Sequence, residues 1–417
     1  MTRTVTRTVT CTVTRPDEEE KKRKHNKNMT SVFKFGGTCM RHDIDNVIQR
    51  IQENADQKRP VIVVVSAFAG ATDLLIKGQV EEAISLYGDN VDRDLCTQMH
   101  DIMRNFGPSD FLTSYGEKLS AKLLADMLGA VALWADDGIV MVNNKGELSC
   151  NVKRFGNHYI EIVTGFCAKH TSDGRTVLLG RDGSDTTATI LAQAFKCHCT
   201  IFTDVNGIYN IDPRLYADAT LLEEITLAEA RELAFHGASV LHSRCLDFVG
   251  DKGLTVRNVN GAQSRGTLVH PTHSMRTSSK SQFPWTGVAV LRKRVGISIR
   301  SASHINKPGF AADTFERFRN VSIDMVAQSC SQTTITLILK EEHAREVCTS
   351  DEIPVDRLAI ITIVGENMVR TPGVAAELFR RISTINVVSI SQGASELSIS
   401  VAVSESNLGH AIHSLMA

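Results

Sequence analysis

The chain has 417 residues and a mass of 45.7 kDa, which is enough for two or three domains and too much for one small module. Hydrophobic residues make up 42% and charged residues 22%, an ordinary globular balance that can bury a sizeable core. The formal net charge is −1, so charge gives no support for nonspecific nucleic-acid binding. The longest near-apolar stretch, residues 60–71, is far shorter than the roughly 20 residues of a transmembrane helix.

Residues 1–30 differ in composition from the rest of the chain. A Thr/Arg/Val repeat leads into the charged run DEEEKKRKHNKN, and neither segment has a face that could join a core. We therefore expect a disordered tail. The acids at positions 17–20 argue against a transit peptide. The ten cysteines are scattered without zinc-site spacing, which favours reduced thiols and a cytoplasmic protein.

From residue 31 to about residue 270, short apolar runs alternate with stretches of helical spacing. The predicted strands are residues 31–35, 60–66, 139–142, 159–164, 199–203 and 254–259. The predicted helices are residues 43–54, 114–128, 186–195 and 227–237. Such alternation predicts an α/β sandwich with a largely parallel, buried sheet. Because ligands in these folds bind at the carboxyl ends of strands, the loops after the strands are the candidates for chemistry.

The last third of the chain contains an internal repeat. Residues 308–312 (PGFAA) recur 64 positions later as residues 372–376 (PGVAA), and the same offset pairs Gln328 with Gln392. A constant offset across two elements indicates two copies of one supersecondary unit. In each copy Pro-Gly opens a helix that two strands follow, which predicts a pair of ferredoxin-like units. We interpret the pair as a small-molecule regulatory module, with a purely structural duplication as the alternative.

Two loops combine glycines with charged side chains. In residues 34–38 (KFGGT) the paired glycines let the backbone approach phosphate oxygens beside a lysine, although a simple tight turn is the alternative. Residues 180–187 (GRDGSDTT) follow an apolar strand at residues 177–179. Arg181 there has the planar fork that grips a carboxylate. Ser184 and Asp185 are good helix N-caps, and capping is the alternative for both.

A third loop, residues 203–214 (TDVNGIYNIDPR), has an acid at a strand end, an aromatic residue and an arginine. This combination suits a nucleotide pocket, although Asn-Gly between apolar residues is also a turn signal. Glu117 lies at the start of a predicted helix, where an acid is favourable in any case. His242 is most simply a packed helical histidine.

Taken together and in this order, the motifs resemble those of the aspartate kinases, a branch of the amino-acid-kinase family. The matching motifs are KFGGT, SAFAGATD, SYGEKLS, GRDGSDTT, TDVNGIYNIDPR and GASVLH. The repeat resembles the paired ACT regulatory domains of that family, above all in TPGVAAELF and SISQGASELSISVAV. The resemblance implies an amino-acid-kinase three-layer sandwich over residues 31–270, a linker over residues 271–284 and two ferredoxin-like ACT units over residues 285–417.

The resemblance also implies an activity: ATP- and Mg²⁺-dependent phosphorylation of the β-carboxylate of L-aspartate to 4-phospho-L-aspartate, the first step towards lysine, threonine and methionine. Positioning and charge neutralisation supply most of the catalysis in such transfers. The residues carried over are Lys34 and Asp185 for catalysis; Ser66, Thr72, Glu117, Arg181 and Ser184 for aspartate; and Lys34, Gly36, Gly37, Thr38, Thr203, Asp204, Tyr209 and Arg214 for ATP. Glu117 would accept the α-ammonium and Arg181 the α-carboxylate. Phosphate oxygens and water would hold most of the Mg²⁺ coordination, so no protein ligand is assigned.

The chain departs from the family pattern at several positions. Asp182 stands where a glycine is usual, Cys39 where a serine is usual, and Ser239 where some members have a lysine. Asp182 and Cys39 motivate one alternative, a related kinase acting on another amino acid. A second alternative is a catalytically silent paralogue that binds an effector or a partner kinase through its ACT domains.

The predicted partners follow from the ACT units. Lysine and/or threonine would bind near the helix N-termini at Gly309 and Gly373, where backbone N–H groups are free to receive a carboxylate. Ser331-Gln332 replaces the Ser-Glu pair that the second copy retains as Ser395-Glu396. We therefore expect weak inhibition, and assembly as a homodimer or higher oligomer through the ACT domains.

Overall fold

The computed structural model describes residues 31–55, 60–155, 158–238, 241, 243–261, 265–271, 283–300, 308–328, 334–348, 357–368, 370–392 and 395–417. The predicted tail, most of the predicted linker, Ser239, His242 and the Ser331-Gln332 pair lie outside these ranges. The described residues fall into two compact units. One is drawn from residues 1–208, 221–227 and 240–275, and the other from residues 209–220, 228–239 and 276–417.

Twelve strands of the described chain belong to the first unit. They are β1 (Ser31–Phe35), β2 (Val61–Val65), β3 (Val131–Leu133), β4 (Val140–Val142), β5 (Leu148–Cys150), β6 (Ile160–Thr164), β7 (Cys167–His170), β8 (Thr176–Leu178), β9 (Cys199–Thr203), β10 (Glu224–Thr226), β11 (Leu254–Asn258) and β12 (Thr267–His270). Eight form a sheet in the order β10-β12-β11-β9-β1-β2-β6-β3, in which only the β11–β12 pair is antiparallel. The other four form a smaller sheet in the order β5-β4-β7-β8.

Helices alternate with these strands. They are α1 (Gly37–His42), α2 (Ile44–Ala55), α3 (Ala71–Ile76), α4 (Val80–Ser85), α5 (Arg93–Phe106), α6 (Asp110–Thr113), α7 (Tyr115–Leu128), α8 (Gly183–Phe195), α9 (Leu227–Phe235), most of which belongs to the second unit, and α10 (Ser243–Leu246). Short 3₁₀ helices cover Gly88–Asn90, Ala135–Asp137 and Val152–Arg154. None of the helices in the described ranges is long and apolar enough to cross a membrane.

The central strands of the larger sheet are unbroken apolar runs. All five residues of β2 (VIVVV) are buried, as expected for a parallel strand covered on both faces. β1 lies between β2 and β9, with Phe35 opposite both Val65 and Phe202. The carboxyl ends of these three strands therefore lie side by side, and the residues that follow them meet at one edge of the sheet.

A six-stranded antiparallel sheet forms the second unit. Its elements are β13 (Gly287–Arg300), α11 (Phe310–Arg317), β14 (Ile323–Gln328), β15 (Thr334–Lys340), α12 (Glu341–Val347), β16 (Leu358–Val364), α13 (Val374–Arg381), β17 (Val387–Gln392), β18 (Ser398–Ser404), a 3₁₀ helix (Glu405–Asn407) and α14 (Leu408–Met416). The strand order is β14-β15-β13-β16-β18-β17. The predicted repeat is confirmed, because α11-β14-β15 and α13-β17-β18 are the same succession of elements.

The predicted fold class, an α/β sandwich with a largely parallel sheet followed by ferredoxin-like units, is confirmed. The predicted strand boundaries agree with the structure to within a residue or so. The helix predicted over residues 186–195 is wrong at its start, since α8 begins at Gly183. The helix predicted over residues 227–237 ends two residues early, at Phe235.

Candidate active site

A buried ion pair lies at the carboxyl end of β1. The Lys34 ammonium is 2.5 Å from a carboxylate oxygen of Asp185, in the first turn of α8, and both side chains are almost fully buried. Burial by itself lowers the pKa of Lys34, but the charge of Asp185 and its hydrogen bond, together with the charge of Asp182, outweigh burial and raise the pKa. Lys34 is therefore a fixed positive charge at the sheet edge.

The glycine loop after β1 approaches the loop after β2 closely. A Cβ atom on Gly37 would lie 2.4 Å from the Ala67 carbonyl oxygen, so this position accepts only glycine without a backbone shift. Gly36 precedes α1 in an extended conformation, and a Cβ there would lie 3.6 Å from Lys34 Nζ. Thr38 is exposed on the first turn of α1. The loop thus places bare backbone next to the Lys34 charge, as a phosphate-binding loop requires.

A buried carboxylate faces the same loop from α7. The Ala67 backbone N–H donates to Glu117 Oε1 at 3.2 Å, while the buried Oε2 has no hydrogen-bond partner among the described residues. Burial raises the pKa of Glu117 to about 8; the Ala67 N–H opposes this shift, and the charge of Asp136 adds to it. An unpaired acceptor of this kind is costly unless a ligand donor completes it.

Tyr87 holds these parts together, and sequence analysis missed it. Its hydroxyl accepts from the Phe68 N–H at 3.0 Å and donates to the Gly116 carbonyl at 2.7 Å. The Tyr87 and Phe68 rings are stacked, with centroids 4.2 Å apart. Tyr87 therefore ties the loop after β2 to the first turn of α7. A single tyrosine in a helical stretch carries no sequence signal for this role.

The loop before α8 is built around a residue with left-handed backbone. Asp182 (φ 52°) is the N-cap of α8, although its side chain makes no cap hydrogen bond. The capping alternative for Ser184 and Asp185 is therefore wrong, because both lie inside the first turn. A Cβ on Gly165 would lie 2.5 Å from Ser184 Cβ, so the backbone directly after β6 packs closely against this turn. Phe166, which sequence analysis also missed, follows with φ 67°.

The remaining aspartate-site predictions fall at three places. Ser66 directly follows β2, and its N–H donates to the Phe35 carbonyl at 3.2 Å, which places it beside β1. Thr72 is half-buried in α3. Arg181 is exposed, and its guanidinium has no partner in the described part of the chain, which leaves it available to an anion.

The predicted nucleotide residues divide between the two units. Thr203 ends β9 in the first unit and Asp204 follows it, and the Thr203 hydroxyl donates to Asp204 Oδ1 at 3.1 Å. Tyr209 and Arg214 belong to the second unit. The Arg214 side chain is exposed and pairs with Asp212 at 2.6 Å. Their roles towards ATP stay predictions.

Cys39 departs from the family pattern without exposing a new reactive group. It is buried in the core of the first unit, and its thiol lies 3.9 Å from the Phe202 carbonyl. Burial raises the pKa of Cys39 to about 11, although the charge of Lys34 opposes the shift. The eight described cysteines are all free thiols.

Asp182 places an exposed carboxylate on the loop that faces Lys34. Asp182→Asn keeps a residue that tolerates left-handed backbone and removes the charge. Exposed charge interactions contribute about 0.2–1 kcal/mol, so we expect the KM for the predicted substrate ATP to fall by up to about fivefold with little change in stability. Steady-state kinetics test this, with Asp89→Asn, at an exposed acid on the 3₁₀ helix Gly88–Asn90, as the matched control. A KM for ATP equal to that of the control would show that Asp182 points away from the nucleotide.

The comparisons with known proteins agree with this geometry. The model of the amino acid kinase family matches residues 29–260, more than half of the chain, and a model of the ACT domain matches residues 297–350 and 361–417. The chain therefore belongs to the amino acid kinase family and carries ACT domains. The predicted resemblance to the aspartate kinases is confirmed by the relatives described next.

The bifunctional aspartokinase/homoserine dehydrogenase of Daucus carota is 28% identical, over 92% of this chain and 50% of that protein. The chain thus spans about half the length of this bifunctional relative. The aspartokinase of Helicobacter pylori is 28% identical over 90% of this chain and 95% of its own. The aspartate kinase of Pseudomonas fluorescens is 28% identical over 92% of this chain and 96% of its own.

Solved structures show the same fold. E. coli aspartokinase III in complex with aspartate and ADP has a TM-score of 0.73 and 23% identity, covering 93% of this chain and 98% of that one. Clostridium acetobutylicum aspartate kinase has a TM-score of 0.76 and 22% identity, covering 93% of this chain and 99% of that one.

Proposed function

We propose that this chain phosphorylates the β-carboxylate of L-aspartate with ATP, giving 4-phospho-L-aspartate and ADP, as the first step of lysine, threonine and methionine synthesis. The observation that carries the proposal is the buried Lys34–Asp185 ion pair at the carboxyl end of β1, beside the glycine loop. The names of the relatives, and the aspartate and ADP bound to the E. coli structure, support the choice of substrate.

Lys34 neutralises charge on the phosphoryl group during transfer. Its raised pKa keeps it protonated, and the ion pair with Asp185 fixes its direction before substrate arrives. A positioned charge of this kind needs no reorganisation at the moment of reaction. Asp185 is thus a positioning residue for Lys34, and the backbone of Gly36 and Gly37 lines the path of the phosphates.

Glu117 receives the α-ammonium of aspartate. The buried Oε2 oxygen is an acceptor that no described residue fills, and an ammonium supplies both the missing hydrogen bond and the opposite charge. Ser66, Thr72 and Ser184 supply polar atoms around the remainder of the substrate. We assign Thr203, Asp204, Tyr209 and Arg214 to the nucleotide, with the arginine on a phosphate.

Arg181 binds the α-carboxylate, and Arg181→Lys tests this assignment. Lysine keeps the charge and loses the planar fork, so we expect the KM for aspartate to rise more than the KM for ATP. The loss of one charged hydrogen bond costs about 1.5–3 kcal/mol, which corresponds to a rise of roughly tenfold or more. Steady-state kinetics measure both constants, with the exposed Arg104→Lys as control. A rise confined to the KM for ATP would assign Arg181 to the nucleotide instead.

Mg²⁺ fits this site as a companion of ATP. In the described chain, no group of three or more His, Cys, Asp or Glu side chains is arranged to hold a metal ion. Mg²⁺ usually keeps several waters and binds through one or two carboxylates and the substrate phosphates, so the donor set fits an ion delivered with the nucleotide. The ion would shield phosphate charge alongside Lys34.

We also propose the domain division into a catalytic part (residues 31–270), a linker (271–284) and a regulatory part (285–417), as well as a cytoplasmic location and assembly through the ACT domains. Within the second unit, Gly309 (φ 107°) and Gly373 (φ 90°) are the N-caps of α11 and α13, and neither provides a side-chain cap. The N-termini of these helices suit the carboxylate of lysine or threonine.

We expect inhibition by these amino acids to be present but weak, since Gln332 replaces an acid that would meet the effector's ammonium. Gln332→Glu should strengthen inhibition. The measurement is kinase activity against lysine, threonine and their mixture, for the wild type and for Gln332→Glu. Strong inhibition of the wild type that Gln332→Glu leaves unchanged would contradict this account.

ADP release with each of the twenty amino acids, in the presence of ATP and Mg²⁺, tests the proposed function. We expect release to depend on L-aspartate. Release with another amino acid alone would identify a related kinase, and the absence of release with any would identify a silent paralogue.

A further inference from the structure

A second buried ion pair lies directly behind Glu117. Lys118 Nζ is 3.1 Å from Asp136 Oδ2, and both side chains are almost fully buried. The Thr176 hydroxyl donates to the same oxygen at 2.8 Å. The other oxygen, Oδ1, is buried and has no hydrogen-bond partner in the described chain. Nothing in the mechanism above uses this pair.

The Lys118 ammonium is held in place on its remaining sides. It lies 4.8 Å from the centroid of the Phe111 ring and 4.6 Å from that of Tyr115. Such cation–π contacts favour a charged ammonium in a dry site. A buried ion pair is costly to assemble and is weak support for stability by itself. Its position next to the substrate-facing acid therefore suggests an electrostatic purpose.

Few groups act on the Glu117 carboxylate. Besides burial, the Ala67 N–H and its own backbone N–H, the charges that act on it are Asp136 from the 3₁₀ helix Ala135–Asp137 and Lys118 from its own helix. Tyr87 and Cys167 face the same region from other elements, and burial raises the pKa of both, so both stay neutral at physiological pH. Asp136 disfavours ionised Glu117, whereas Lys118 favours it.

We propose that Lys118 and Asp136 are positioning residues that set the charge of Glu117 from opposite sides: Lys118 favours the ionised carboxylate that receives the substrate ammonium, and Asp136 opposes it. When Glu117 is ionised, the two carboxylates and the Lys118 ammonium sum to −1, and the α-ammonium of the amino acid brings the sum to zero. The pair thereby selects a substrate that carries a cationic amino group. This inference rests on the proposed function of Glu117.

The test is the pH dependence of the KM for aspartate in four variants. Lys118→Met should move the midpoint of the KM–pH curve upward by about one pH unit, which is a rise of about tenfold in KM below the midpoint. Asp136→Asn should move the midpoint downward. The double variant, Lys118→Met with Asp136→Asn, should lie close to wild type, and Lys118→Arg should retain the wild-type midpoint. We expect kcat and the KM for ATP to change little throughout.

Opposite shifts in the two single variants distinguish this role from a structural one, since a packing defect has no reason to lower the midpoint. Shifts in the same direction, or unchanged midpoints in both, would overturn the inference. If Lys118→Met does not fold because Asp136 is left unpaired, Asp136→Asn and the double variant decide the question.

A second readout separates this inference from the proposed function. If wild type neither binds nor phosphorylates aspartate, the proposed function fails. The charge assignment is then tested by measuring the free energy of unfolding across pH for proteins with Glu117 and with Glu117→Gln. The difference between the two changes with pH and levels off at an upper midpoint, which follows the ionisation of Glu117 in the native state. The midpoint should shift upward when Lys118→Met is added to both proteins and downward when Asp136→Asn is added. An unchanged midpoint would overturn the assignment.

Discussion

Replacing Lys34 by alanine is expected to lower kcat by roughly 10²–10³-fold, the loss seen when a positioned charge or donor at a transition state is removed. The KM for aspartate should change little, because the proposed ammonium and carboxylate contacts are made by Glu117 and Arg181. Steady-state kinetics measure both quantities, with Lys77→Ala, an exposed lysine that follows α3, as the control. Turnover equal to that of the control would remove Lys34 from the mechanism.

Lys34→Ala should also destabilise the fold, because Asp185 is left buried without its partner. Breaking a buried pair from one side costs about 3–5 kcal/mol in the free energy of unfolding. The double variant Lys34→Met with Asp185→Asn removes both charges and should recover most of that stability without recovering turnover. Urea unfolding and kinetics on the same preparations separate the two effects. Recovery of turnover in the double variant would show that the single variant had failed only through misfolding.

Glu117→Gln is expected to raise the KM for aspartate by roughly 10–150-fold, because a hydrogen bond to a charged group contributes about 1.5–3 kcal/mol. In wild type, burial raises the pKa of Glu117 to about 8, so the carboxyl is mostly protonated at neutral pH. The KM for aspartate should therefore fall as the pH rises through about 8, and Glu117→Gln should abolish this dependence. The exposed Glu82→Gln serves as control and should behave as wild type.

The same pKa predicts the pH dependence of stability. Between the ordinary value of 4.5 and about 8, the native state holds a proton on Glu117 that the unfolded state has released. The free energy of unfolding therefore falls as the pH rises across that window, and Glu117→Gln should flatten this part of the curve.

A KM for aspartate that is the same in Glu117→Gln and wild type at every pH would assign the substrate ammonium to another group.

Much of the fold could be predicted from apolar periodicity. The run VIVVV of β2 has no polar face, so it fits only a strand covered on both sides, and the alternation of such runs with helices defines a parallel sheet. The repeat at residues 308–312 and 372–376 predicted the two equivalent helices of the second unit. The motif order also placed Lys34, Ser66 and Thr203 at the carboxyl ends of strands that prove to be neighbours in the sheet.

The errors and omissions have identifiable physical causes. The start of α8 was predicted too late because Ser184 and Asp185 favour N-caps, whereas the helix begins after Asp182, whose short side chain tolerates left-handed backbone. The roles of Tyr87 and of the Lys118–Asp136 pair depend on contacts between elements far apart in sequence. Composition and spacing carry no record of such contacts, so only the folded chain reveals them.

Trapping of the reaction product with hydroxylamine tests the central claim most directly. The chain is incubated with ATP, Mg²⁺ and L-aspartate, and the acyl phosphate is captured as its hydroxamate, with Lys34→Met/Asp185→Asn as the inactive control. We predict aspartyl β-hydroxamate in amounts equal to the ADP released, and none from the control. ADP release without hydroxamate, or hydroxamate formed only with an amino acid other than aspartate, would contradict the account.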